Sequence, residues 1–179
     1  MPIDDAKDRV QMIYGLFNIA EIGVGGSAVC AFQFSDITKA FDGPFTGQAS
    51  FYHKWMTVKQ ELTPSPHPSK CIDVNTTLSA TTLTFIRDHS LMAEIVKPWG
   101  DKPVFVFHCI RSKLTYMAVD WQVKASDGRY YDVIFVGTND GRVIKFINKG
   151  SGDKVRPMII EDVQVLRPGD AVKDMRVIH

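Results

Sequence analysis

The chain has 179 residues, the length of one ordinary domain, and 45% of them are apolar, enough for a packed core. Basic and acidic residues nearly cancel, 21 against 20, which argues against nucleic acid or an anionic membrane surface as a partner. No run of about 18 apolar residues occurs, so no segment here is expected to cross a bilayer.

Residues 1–9 lack the apolar core of a signal peptide. Residues 11–19 are rich in strand formers. In 27–34, Ala28, Cys30, Phe32 and Phe34 alternate with Val29, Ala31 and Gln33, which predicts a strand buried on at least one face. Ser35 or Asp36 then serves as the N-cap of a short helix carrying Ile37, Ala40 and Phe41, and Gly43-Pro44 ends it. Residues 45–74 show no sustained period and read as a long irregular stretch, locally tied down or functional. A short amphipathic helix is predicted over 83–92.

From Pro103 onward the texture is that of strands, at 104–109, 114–120, 130–136 and 143–147. Asp127-Gly128 and Asn139-Asp140-Gly141 are hairpin signals between them. Strands this short and this regularly spaced describe a propeller blade or a small sandwich sheet. A strand pair is predicted over 155–166 and a further strand over 171–178, where an abrupt stop favours a truncated chain.

Little in the chain points to catalysis or a cofactor. Residues 23–28 fit G-x-G-x-x-A, but a strand-like run follows where a dinucleotide site needs a helix. No pair among His53, His67, His89, His108 and His179 has metal-ligand spacing, and no C-x-x-C or G-x-S-x-G occurs. No enzyme activity, cofactor, metal or small-molecule substrate is therefore expected. Three cysteines, Cys30, Cys71 and Cys109, are an odd number: ordinary as free thiols in the cytosol, but in a secreted protein one must stay unpaired or pair elsewhere. Composition leaves both compartments open.

Five segments in order resemble the sema domain of the semaphorin family. Residues 26–41 are similar to G-S-A-V-C-x-F-x-M-x-D-I-x-x-x-F, and 64–71 to P-x-P-R-P-G-x-C. Residues 85–92 resemble F-I-x-x-H-P-L-M, 114–120 resemble L-T-x-I-A-V-D, and 132–145 resemble D-V-x-F-x-G-T-x-x-G-x-V-x-K. Phe34 replaces the usual methionine, His67 and Ser69 replace arginine and glycine, Ser90 replaces proline, and Ser79-Ala80-Thr81 stands for Leu-Pro-Asp. The texture looks closest to invertebrate transmembrane semaphorins.

The resemblance implies an all-β fold, part of a seven-bladed β-propeller, with the chain an internal piece of a longer protein. On that reading 1–34 supply strands of blade 5, 35–102 its helical extrusion, 103–150 the end of blade 5 and blade 6, and 151–179 the start of the next blade. Cys30 and Cys71 would each pair with a cysteine upstream of this chain. A missing bridge costs about 2–5 kcal/mol, so the piece alone is expected to be poorly soluble or misfolded. Asn75, in Asn75-Thr76-Thr77, would be glycosylated. The implied function is an extracellular or cell-surface guidance cue that binds a plexin receptor, dimerises through its sema domain and signals axon guidance or chemorepulsion. Any membrane attachment would come from a segment outside this chain. By position, Arg87, Phe107, Cys109 and Arg111 are candidates for the receptor interface and Val24 for the homodimer contact. A plexin-like receptor, which also carries a sema domain, and an intracellular propeller scaffold are the alternatives.

Overall fold

The computed structural model describes residues 11–19, 25–73, 76–109, 111–150 and 154–178. Two compact units emerge, one from Met1–Gln33 with Pro98–His179, the other from Phe34–Lys97.

The first unit holds two antiparallel sheets. One has the order β1 (Met12–Asn18), β2 (Ser27–Gln33), β6 (Phe105–Phe107); the other runs β10 (Pro157–Gln164), β9 (Arg142–Asn148), β8 (Tyr130–Thr138), β7 (Leu114–Lys124). β8 shows why it takes the centre. Its side chains alternate in direction, so Ile134 and Val136 join the main core while Tyr131 and Val133 join a second cluster with Ile147. Both faces are apolar, and nearly the whole strand is buried.

The main core fuses the two sheets. Met12, Val29, Ala31 and Phe105 of the first meet Leu114, Ile134, Val136, Ile144 and Phe146 of the second. Phe105 and Phe146 stack with ring centroids 4.5 Å apart. Polar groups stitch the same junction: the Leu114 N–H donates to Ser27 Oγ at 3.0 Å, and Asn18 Nδ2 donates to the Leu114 carbonyl at 3.0 Å. The two predicted hairpin turns form, and Gly128 and Gly141 take the left-handed φ of 81° and 87° that the turns demand.

The second unit contains α1 (Phe34–Phe41), α2 (Ala80–Asp88) and a small sheet ordered β4 (Met56–Thr57), β3 (Phe45–Gly47), β5 (Leu91–Met92). Its core is a ring cluster. Phe45 meets Phe85 edge-on at 5.2 Å and stacks on His67 at 5.2 Å, and Phe85 lies 4.7 Å from His89.

Several sequence expectations are corrected. α1 begins at Phe34, directly after β2, so neither Ser35 nor Asp36 caps it; the Ser35 carbonyl instead accepts from the Thr38 hydroxyl at 2.9 Å. α2 starts and stops earlier than 83–92: Ser79 Oγ accepts from the Thr82 N–H at 3.1 Å and caps the helix start. Leu91 and Met92 leave the helix to pair with β3. Residues 155–166 hold one strand, β10, in place of the predicted strand pair, and it pairs with β9. Residues 171–178 form no strand. They are held by Val172, whose N–H donates to the Thr138 carbonyl at 3.0 Å and whose carbonyl accepts from the Thr115 hydroxyl at 2.6 Å. Val172 also packs so closely over Gly137 that a Cβ there would lie 2.5 Å from it.

Candidate functional site

In the first unit, β6 and the residues after it carry three of the candidate positions. Phe107 pairs with Ser27 across the sheet and is half-buried against the main core, while the neighbouring Val106 points outward. Cys109 is partly exposed and Arg111 exposed. The loop bearing Arg111 is fixed by its next two residues. Ser112, buried, donates to Asn139 Oδ1 at 3.0 Å with Asp140 Oδ1 at 3.1 Å, and the Lys113 N–H donates to Asn139 Oδ1 at 2.8 Å. The Thr138 hydroxyl bonds Asp140, and that bond, with the one from Ser112, holds the Asp140 carboxyl below its ordinary range. Arg111 thus stands on a loop clamped to the β8–β9 turn.

A second polar cluster spans the two sheets. Buried Asp132 accepts from the Tyr14 hydroxyl at 2.9 Å, and from the N–H and side-chain amide of Gln122 at 3.0 and 2.7 Å. Gln122 has a left-handed φ of 54° at the register shift of β7, so the carboxylate holds a β-bulge. Burial, then the Asp132 charge and the hydrogen bond, push the Tyr14 hydroxyl far above the ordinary tyrosine range. Asp132 thus ties the bulge backbone at Gln122 to Tyr14 of the other sheet.

In the second unit, Arg87 lies in the last turn of α2, largely exposed, as expected of a surface cation. It is not solitary: its Nε donates to Asp88 Oδ1 at 2.8 Å and its Nη2 to Oδ2 at 3.3 Å. That contact holds the Asp88 carboxyl below its ordinary range and raises the guanidinium further.

No two of the three cysteines are joined to each other: Cys30 is buried in β2, which pushes its thiol up, and Cys71 is exposed. Val24 and Asn75 lie outside the described residues. Ala28 of the glycine-rich run sits in β2 rather than at a helix start. Among the described residues no three or more His, Cys, Asp or Glu gather as a metal site, and no helix is long and apolar enough to cross a membrane.

The model of the Sema domain family matches residues 2–179. The chain belongs to the Sema domain family. Semaphorin-1A of Schistocerca americana is 39% identical over 94% of this chain, which spans 24% of that relative's length. The solved structure of Drosophila Semaphorin 1a, extracellular domains 1-2, matches 99% of the chain and 36% of its own, at 35% identity and a TM-score of 0.82. That of Drosophila Plexin A in complex with Semaphorin 1b matches 94% of the chain and 34% of its own, at 36% identity and a TM-score of 0.77. The antiparallel sheets are therefore part of a β-propeller.

Within this sema domain, sequence reasoning missed one feature of the second unit. Phe51 and Tyr52 are 87% and 92% exposed, with rings edge-to-face at 5.7 Å, and Met56 and Leu62 of the same unit are also exposed. Their loop is ordered from within: Gln48 Nε2 donates to the His53 carbonyl at 2.6 Å, and Ser50 Oγ meets His53 Nδ1 at 2.6 Å. The signal was the aromatic density of 51–56 inside a stretch without a period.

Proposed function

We propose that the protein carrying this chain is an extracellular semaphorin, a guidance cue that binds a plexin receptor through its sema domain and acts by recognition, not catalysis. One observation carries the reading: the family match runs along the whole chain, and a solved structure titled Drosophila Plexin A in complex with Semaphorin 1b matches it at 36% identity. Membrane attachment, where present, comes from a segment outside this chain.

On this reading Arg87 of the second unit and Arg111 of the first each meet acidic groups of the receptor, while Cys109 and half-buried Phe107 support the latter's surroundings. Arg111 is favoured because its clamped loop has little entropy left to lose on binding. Val24 contributes to a homodimer contact that brings two receptors together for chemorepulsion. Cys30 and Cys71 pair with cysteines elsewhere in the full protein, and Asn75 carries a glycan.

Charge reversal tests the interface. In the full-length protein, Arg111→Glu and Arg87→Glu are each expected to weaken binding to an immobilised plexin ectodomain about tenfold, by surface plasmon resonance. Unchanged affinity in both variants would remove these residues from the interface.

A further inference from the structure

The second unit contains an open cleft of about 740 Å³ that the receptor reading does not use. Its lining includes the β3–β4 region with Met56, Leu62, Lys54 and Lys59, and the end of α2 with Asp88 and His89. Three observations bear on what fits it. First, charge: Asp88 is already held by Arg87, whereas Lys54 and Lys59 have no acidic partner among the described residues. The cleft therefore carries uncompensated positive charge. Second, Met56 and Leu62 are 72% and 67% exposed, apolar surface that a purely ionic ligand would leave wet. Third, β4 pairs only with β3 and is the edge of its sheet, so its outer backbone N–H and C=O groups have no ladder partner.

We propose that this cleft takes an extended acidic peptide segment of a partner protein, added as a strand along the free edge of β4. Its carboxylates meet Lys54 and Lys59, and an apolar side chain of the peptide covers Met56 and Leu62. Strand addition supplies main-chain hydrogen bonds, and the flanking side chains supply selectivity. A sulfated sugar matches the lysines but has no amide row to pair with an edge strand. The inference stands on the second unit alone and holds whether or not the receptor is a plexin.

The test uses the full-length protein and a fluorescein-labelled, end-blocked alternating Glu-Leu hexapeptide, read by anisotropy at low and physiological salt. Saturable binding that weakens with salt is expected. It should fall about tenfold in Lys54→Glu/Lys59→Glu and severalfold in Met56→Ser/Leu62→Ser, all exposed positions whose change leaves the fold intact. Methylating alternate amides of the peptide should abolish binding in one of the two registers. Equal binding of an alternating Lys-Leu peptide, or no dependence on either pair of variants, would overturn the proposal. So would a heparin-derived tetrasaccharide that binds more tightly and ignores Met56→Ser/Leu62→Ser, an outcome that would give the cleft to a sulfated glycan.

Discussion

At Gly47 there is no room for a side chain, because a Cβ would lie 2.3 Å from His89 Nδ1. The His89 ring cannot easily retreat, since Phe85 lies 4.7 Å from it on the core side. Gly47→Ala is therefore expected to destabilise the second unit by about 1–3 kcal/mol in chemical denaturation. Tyr14 makes a pH-dependent contribution. Its folded-state pKa lies far above its unfolded value, so the unfolded chain gives up a proton that the folded chain keeps. The stability it confers is intact below about pH 10, where a free tyrosine ionises, and falls as pH rises past that point. Tyr14→Phe is expected to cost about 1–3 kcal/mol at neutral pH, because buried Asp132 loses a donor, and to flatten the alkaline decline. Thermal melts at pH 7 and pH 11 would show both effects; an unchanged alkaline slope would contradict this assignment.

Among the elements, β10 is the exception. It is exposed along its whole length yet carries Met158, Ile159, Ile160 and Val163. Such an outer strand recruits other chains unless something covers it. Ile160 sits where the register shifts between Ile159 and Glu161, so it has no cross-strand partner to lose. Ile160→Lys is expected to raise the monomer fraction of the isolated chain in size-exclusion chromatography with light scattering, while shifting stability by no more than about 0.5 kcal/mol. An unchanged oligomer distribution would clear β10. The elements also divide by how readable they were. β7, β8 and β9 follow from runs of strand-forming residues separated by the turns at Gly128 and Gly141. The small sheet of the second unit left no such trace. Its strands are two or three residues long, and ring contacts of Phe45 with His67 and Phe85, distant in sequence, hold them. Likewise Arg87 was singled out by position, and its partner is the next residue, Asp88, the last of the helix, which nothing in the sequence pattern flagged.

For the molecule as a whole, the two sheets of the first unit share one core, as adjacent parts of a propeller should, and β10 presents exposed apolar side chains at the outer edge of its sheet. The proposed recognition by surface is consistent with polar clusters that hold a loop and a bulge. Binding of the full-length protein to a plexin ectodomain, measured by surface plasmon resonance at physiological salt, tests this most directly. The account predicts saturable binding at nanomolar to micromolar concentration, lost when the sema domain is removed. No binding to any plexin ectodomain, or binding that persists without the sema domain, would contradict it.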